Sequence, residues 1–157
     1  MRLFCFASRN QENIDRGVSA KMWAVARVSD SSMQGRRTKA RRYFDVGCVG
    51  LLYCKPSQSF AVPFVVESSA DPVSVVTDVW PEPWVLPFSI RPLTSSANQI
   101  PAAIARARWP IIERRWPHVG GVTAAMNATG ATVFAPIEIP DTEWTAILAD
   151  FKRSESG

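Results

Sequence analysis

The sequence predicts an α+β domain: a small mixed sheet curled into a barrel and flanked by two or three short helices. Short apolar runs with strand character outnumber the helical patterns. A strand-like start passes at once into a helix, so the sheet is not an all-β one. The 157 residues contain no internal repeat and suffice for one core, not two.

Taken in order, residues 2–7 alternate as a strand does, and Ser8 or Asn10 can then cap a helix running to residue 19. Residues 22–28 form a second strand carrying Trp23. Residues 29–42 show no apolar periodicity and are expected to be a long polar, basic loop, the kind of segment that usually carries function. Two apolar runs, 46–53 and 60–66, are separated by the turn-rich Lys55-Pro56-Ser57-Gln58-Ser59, which predicts an antiparallel hairpin at the sheet centre. Residues 71–83 are expected as a loop holding Trp80 between Val79 and Pro81, and 84–93 as a strand beginning at Trp84 with an edge or bulge at Pro87. Residues 100–115 suit one or two helical pieces interrupted at Pro110, and Gly120-Gly121 prevents any helix from continuing further. Residues 131–139 are strand-like, and Asp141 and Glu143 start a helix whose Trp144, Ile147, Leu148 and Phe151 share one face. The domain is placed at 1–152, with 153–157 as a tail or the start of a linker.

Composition excludes several classes. No apolar run approaches the roughly 20 residues of a membrane span, and the apolar start gives way to Ser8-Arg9-Asn10 too soon for a signal peptide. Cys5, Cys48 and Cys54 lack paired metal spacing and are expected to be buried reduced thiols, which suits the cytoplasm, or the nucleus in a eukaryote. A thiol nucleophile with His118 is the best enzyme that can be assembled, and burial works against it by raising the thiol pKa. There is no phosphate loop and no nucleophile elbow, so no catalysis, metal or cofactor is expected. The net charge is +4, and it is unevenly placed: Arg36, Arg37, Lys39, Arg41 and Arg42 fall within seven positions. Alone such a run is most often a solvated loop; beside a binding pocket it is a phosphate contact.

The informative set is Asn13, Trp23, Trp80 and Trp84. Two or three aromatic walls and one amide can hold a single nucleobase, the walls stacking on its faces and the amide reading its polar edge. Trp109 and Trp144, in contrast, are expected in the core, where a lone tryptophan usually goes.

Phe6-Ala7-Ser8-Arg9-Asn10-Gln11-Glu12-Asn13-Ile14 followed by Ala20-Lys21-Met22-Trp23 resembles the opening of YTH domains, in which a Ser, an Asn or Asp and a Trp occur in this order and spacing. Gly50-Leu51-Leu52-Tyr53 and Phe60-Ala61-Val62-Pro63-Phe64 look like that family's central hairpin, and Val79-Trp80 through Trp84 like its second and third aromatic positions. Pro87-Phe88-Ser89-Ile90-Arg91-Pro92-Leu93 and the stretch from Ile137 to Trp144 are closer to the related EVE domains, which share the PUA-like barrel.

The resemblance implies a PUA-like reader of N6-methyladenine, flipped out or single-stranded, in which Trp23, Trp80 and Trp84 wall the base and Asn13 hydrogen-bonds a ring nitrogen. Ser8 would line the pocket or cap the helix. Arg37, Arg41, Arg42 and Arg91 would hold flanking phosphates. The partner is methylated RNA or DNA, since no residue announces a 2′-hydroxyl contact, with an effector domain or subunit as a possible companion. The alternative is an EVE-type reader of 5-methylcytosine or a similar base in DNA, the targeting module of a modification-dependent restriction system.

Overall fold

Nearly continuous apolar strands, whose successive side chains point to opposite faces of a sheet covered on both, build the molecule. A computed structural model describes residues 1–116 and 121–156, the side chain of Ser156 excepted. The strands are β1 (Arg2–Ser8), β2 (Met22–Ala26), β3 (Val49–Cys54), β4 (Ser59–Val66), β5 (Val75–Val76), β6 (Trp84–Pro92), β7 (Gln99–Pro101) and β8 (Ile137–Glu138). The helices are α1 (Gln11–Ala20), α2 (Asp30–Tyr43), α3 (Ala102–Arg108), α4 (Pro110–Arg115), α5 (Val122–Ala125) and α6 (Asp141–Ser156).

The strands form one curled sheet in the order β2-β6-β4-β3-β1-β8, with β5 added to β6 and β7 to β4. Only β1 and β3 run parallel among the described pairings. A parallel pair demands a long crossover, and α1, β2 and α2 supply it. The result is a half-barrel.

Two bulges curl it. Between Trp23 and Val25 of β2, the partners on β6 step from Phe88 to Val85, leaving one extra residue on β6. Between Gly50 and Leu52 of β3, the partners on β4 step from Phe64 to Ala61 in the same way. Each bulge joins a residue in the left-handed region to a proline: Leu86 (φ 55°) before Pro87, and Val62 (φ 48°) before Pro63. Proline has no N–H to leave unpaired, so it suits a strand position where the ladder is broken. The bulge expected at Pro87 is therefore present.

Alternation sorts β1 onto two cores. Phe4 and Phe6 point into the concave face with Phe44, Phe88 and Phe134, while Leu3 and Cys5 point to the other face, under Trp109, Trp144, Ile147 and Phe151. Trp109 and Trp144 are core residues, as expected. Gly50 admits the Phe64 ring directly onto the backbone: a Cβ there would lie 2.1 Å from it.

Four expectations are corrected. The basic segment is not a loop but helix α2, capped by Ser29 and opened by Asp30. Its buried residues are Met33, Arg36 and Ala40; one is charged and one small, so no apolar period shows in the sequence. The loop preceding Trp80 contains a short strand, β5, paired with β6. Ile100 belongs to β7, ahead of the helical pair, and Pro110 opens α4 at a position where a missing N–H costs nothing. In 131–139 only Ile137 and Glu138 pair, with β1. Val133 and Phe134 gave that segment its strand character, yet both plug the concave core instead. Helix α6 runs on through Ser156.

Candidate functional site

Helix α1 begins at its cap. Asn10 accepts a hydrogen bond from the Asn13 backbone N–H at 2.8 Å, and Ser8 Oγ donates to the Asn10 carbonyl at 2.7 Å. Asn10, not Ser8, is thus the helix cap; Ser8 pins the turn that precedes it. Asn13, Ile14 and Gly17 form the buried face of α1.

Trp23, opposite Phe88 in the β2–β6 ladder, lays its ring against Gly17. Trp80 lies in the loop ahead of β6 and donates its indole N–H to the Asn13 carbonyl at 2.9 Å. Trp84 opens β6 between Ala26 and Val76. The structure brings all three rings together. Trp23 meets Trp80 and Trp84 edge-on at 5.6 and 5.3 Å, and Trp80 and Trp84 stack at 4.3 Å with 21° between planes. Such edge-on and offset contacts satisfy the ring quadrupoles.

This cluster is closed. The three rings are only 1%, 3% and 7% exposed. A base between two rings needs a ring spacing of roughly 7 Å, twice the contact distance of about 3.5 Å. Loop placement did not keep Trp80 out of the core, because its N–H found a carbonyl inside. Asn13 is buried beside it, and its side-chain amide makes no hydrogen bond among the described residues.

A cleft of about 250 Å³ opens next to Trp23 and Trp84, bordered by the end of β1, by β2 and by residues 128–130. Its charged residues are Arg9, Arg36, Lys55 and Glu82; of these the sequence had marked only Arg36, as a member of the basic run, and had not chosen it among the phosphate contacts. Arg9 and Glu82 form an ion pair. The Lys55 N–H donates to the Ser8 carbonyl at 2.9 Å, so the turn after β3 is tied to the turn after β1. Arg9 and Lys55 therefore sit just beyond the carboxyl ends of the one parallel pair. Arg36, 9% exposed, reaches from α2 to donate to the Ala26 carbonyl at 3.2 Å and the Gly130 carbonyl at 3.4 Å, and burial lowers its pKa. The only signal for it was its place in the basic run; once α2 is known as a helix, its spacing from Met33 and Ala40 turns it inward.

The predicted phosphate contacts lie elsewhere. Arg37 and Arg41 line a second groove of about 350 Å³ between α2 and residues 69–72, where Arg37 donates to the Pro72 carbonyl at 3.3 Å. Arg42 stacks over the Tyr43 ring at 5.1 Å. Arg91 stands at the opposite end of β6 from Trp84, on the order of 20 Å away at about 3.3 Å per residue. None of the four lines the cleft beside the tryptophans.

Of the thiols, Cys5 and Cys54 are buried, and burial pushes the Cys5 thiol far above its ordinary value; Cys48 is half-buried, which corrects the expectation of three buried thiols. His118 lies outside the described residues. No group of three or more His, Cys, Asp or Glu able to hold a metal occurs among the described residues, and none of their helices is long and apolar enough to cross a membrane.

No protein-family model matches the chain, and neither does any curated protein sequence. Solved structures do match it. The YTH domain of Mmi1 superposes with a TM-score of 0.62 at 12% identity, covering 99% of this chain and 91% of its own. The YTH domain of the Zygosaccharomyces rouxii MRB1 protein, solved in complex with N6-methyladenosine RNA, gives 0.60 at 17% identity over 96% and 86%. The Pho92 YTH domain, solved in complex with m6A, gives 0.56 at 17% identity over 96% and 86%. With so few residues in common, what the chain shares with these structures is the backbone plan, and its fold is that of the YTH domains.

Proposed function

We propose that this domain is a non-catalytic reader of N6-methyladenine in RNA. The observation that carries the proposal is the cluster of Trp23, Trp80 and Trp84 with Asn13 bonded to it through the Trp80 indole. Structural neighbours solved with N6-methyladenosine RNA and with m6A support the choice of ligand. The tryptophans would enclose the base and its methyl group, and the uncommitted amide of Asn13 would read the polar edge.

The reading requires movement. Trp80 and Trp84 must part by about 3 Å before a base can enter between rings now stacked. The closed cluster hides indole surface from water in the free domain, and a bound base restores that burial. Burying one methyl group contributes about 0.8 kcal/mol, and a close-fitting cage brings discrimination to roughly 1–3 kcal/mol, a preference of about 10- to 200-fold.

Titration calorimetry tests this with short oligonucleotides bearing one N6-methyladenine, one 5-methylcytosine or no modification, each as RNA and as DNA. Tenfold or greater preference for methylated adenine in RNA is expected. Preference for methylcytosine in DNA would transfer the site to EVE-type recognition, and absence of binding to every oligonucleotide would remove the reader assignment.

A further inference from the structure

The cleft beside the tryptophans contains a cation that the base pocket does not explain. Arg36 is nine-tenths buried, has no carboxylate partner among the described residues, and spends two of its five N–H donors on the Ala26 and Gly130 carbonyls. A buried charge without a counter-ion is costly, and proteins seldom keep one without a use for it. Arg9 and Lys55 line the same cleft, and the only acid there is Glu82. Three cations against one carboxylate leave the cleft with a local charge of +2.

Glu82 is also the middle one of the three residues that join Trp80 to Trp84, flanked by Pro81 and Pro83. Its ion pair with Arg9 ties that segment to the turn between β1 and α1. The two rings that must part therefore hang from a loop held down by the same arginine that faces the cleft.

Building on the reader assignment, we infer that this cleft seats one phosphate of the nucleic acid on Arg36 and Lys55, and that the phosphate takes Arg9 from Glu82, releasing the Trp80–Trp84 loop. Glu82 acts in the free domain as an internal stand-in for the phosphate. Anion binding and opening of the cluster then become one event. A doubly charge-assisted contact to phosphate replaces a single exposed ion pair, so the exchange favours the ligand. The four arginines outside the cleft add only the long-range attraction of a basic surface.

The test compares two ligands that share a base: the uncharged nucleoside N6-methyladenosine and a short single-stranded RNA carrying it. Lys55→Ala and Arg36→Lys are expected to lower RNA affinity about tenfold, and nucleoside affinity far less. Lys55→Ala should also reduce the slope of log affinity against log salt by about 0.7. Glu82→Gln is expected to tighten both ligands, roughly two- to fivefold, because it frees the loop whatever enters. Lys55 is exposed, so its variant keeps the test valid if Arg36→Lys misfolds. Equal losses for RNA and nucleoside in both cation variants would overturn the phosphate seat. Tightening of RNA alone by Glu82→Gln would overturn the release step, because simple charge repulsion acts only on a charged ligand. Failure of the unaltered domain to bind either ligand would instead overturn the reader assignment.

Discussion

Trp23 owes its position to a glycine. A Cβ added at Gly17 would lie 2.8 Å from Cε3 of Trp23 and 2.9 Å from the Met22 carbonyl oxygen. In an exposed helix, Gly→Ala would gain up to about 1 kcal/mol of helix propensity, but overpacking costs about 1–3 kcal/mol, and a backbone oxygen has no rotamer through which to retreat. Gly17→Ala is therefore expected to destabilise the domain by about 1–2 kcal/mol in urea titrations and to weaken binding of N6-methyladenosine. Trp23→Ala is harsher: at 1% exposure the ring is core, and its loss is expected to cost about 3–5 kcal/mol. Binding assays on that variant need a melting curve beside them. The thiols give a separate check. One of the three, Cys48, should react with a thiol reagent in the native domain, and all three after denaturation, because Cys5 and Cys54 are buried and Cys5 is held protonated by burial. At this scale the sequence was informative about what is rare and large: three tryptophans and one amide stood out. It assigned no site role to Arg9, Lys55 or Glu82, because exposed charges look alike until a fold brings them to one cleft.

Helix α2 shows how an element can hide. A helix is recognised by its apolar stripe, but this one buries Met33, Arg36 and Ala40 and leaves basic residues elsewhere. Without the helical period there was no phase, and without phase nothing told Arg36 from Arg37, Arg41 or Arg42. The neighbouring α1 was legible because its signals are local: an Asx cap, then a buried face at Asn13, Ile14 and Gly17. That locality is testable. Asn10→Ala removes the side chain that accepts the Asn13 N–H, and is expected to cost about 1 kcal/mol, while Asn10→Asp retains the acceptor and most of the stability. Chemical denaturation of both variants checks it. Because the orphaned N–H belongs to Asn13 itself, base affinity in Asn10→Ala should fall along with stability. Strand β8 failed differently: Val133 and Phe134 carry strand-like side chains, but their apolar surface goes into the concave core, not along a ladder. Hydrophobicity there reported burial, and burial does not specify backbone pairing.

On the scale of the whole molecule, the sheet has a core on each face, and the two faces have different duties. The concave face carries the tryptophans together with Phe6, Phe44, Phe88 and Phe134; the other is sealed by α3 to α6. This division was partly legible, since the shared face of Trp144, Ile147, Leu148 and Phe151 announced a helix packed on the sheet. The curvature was not, because it depends on two positive-φ residues ahead of prolines, and only the Pro87 position gave warning. The far boundary is set by the same division. Residues 153–156 continue α6, yet little ties them down: exposed Arg153 pairs with Asp150, a carboxylate that Arg108 and the Trp109 indole also hold, and Glu155 accepts from the Ser95 N–H at 3.3 Å. Contacts whose loss leaves no buried charge unpaired contribute about 0–1 kcal/mol each, so a chain ending at residue 152 is expected to unfold within about 2 kcal/mol of the longer one. Ending it at residue 140 is another matter. That cut strips away Trp144, Ile147 and Phe151, 7%, 1% and 0% exposed, and leaves Asn98 without the Phe151 carbonyl to which its amide donates at 2.7 Å. Three large side chains at about 2–5 kcal/mol apiece exceed the usual margin of about 5–15 kcal/mol or consume most of it. The shorter chain should therefore show no cooperative thermal transition by circular dichroism, and should bind a hydrophobic dye. A cooperative melt from the 140-residue chain would mean that the concave half of the sheet, with its tryptophans, is stable without its second layer.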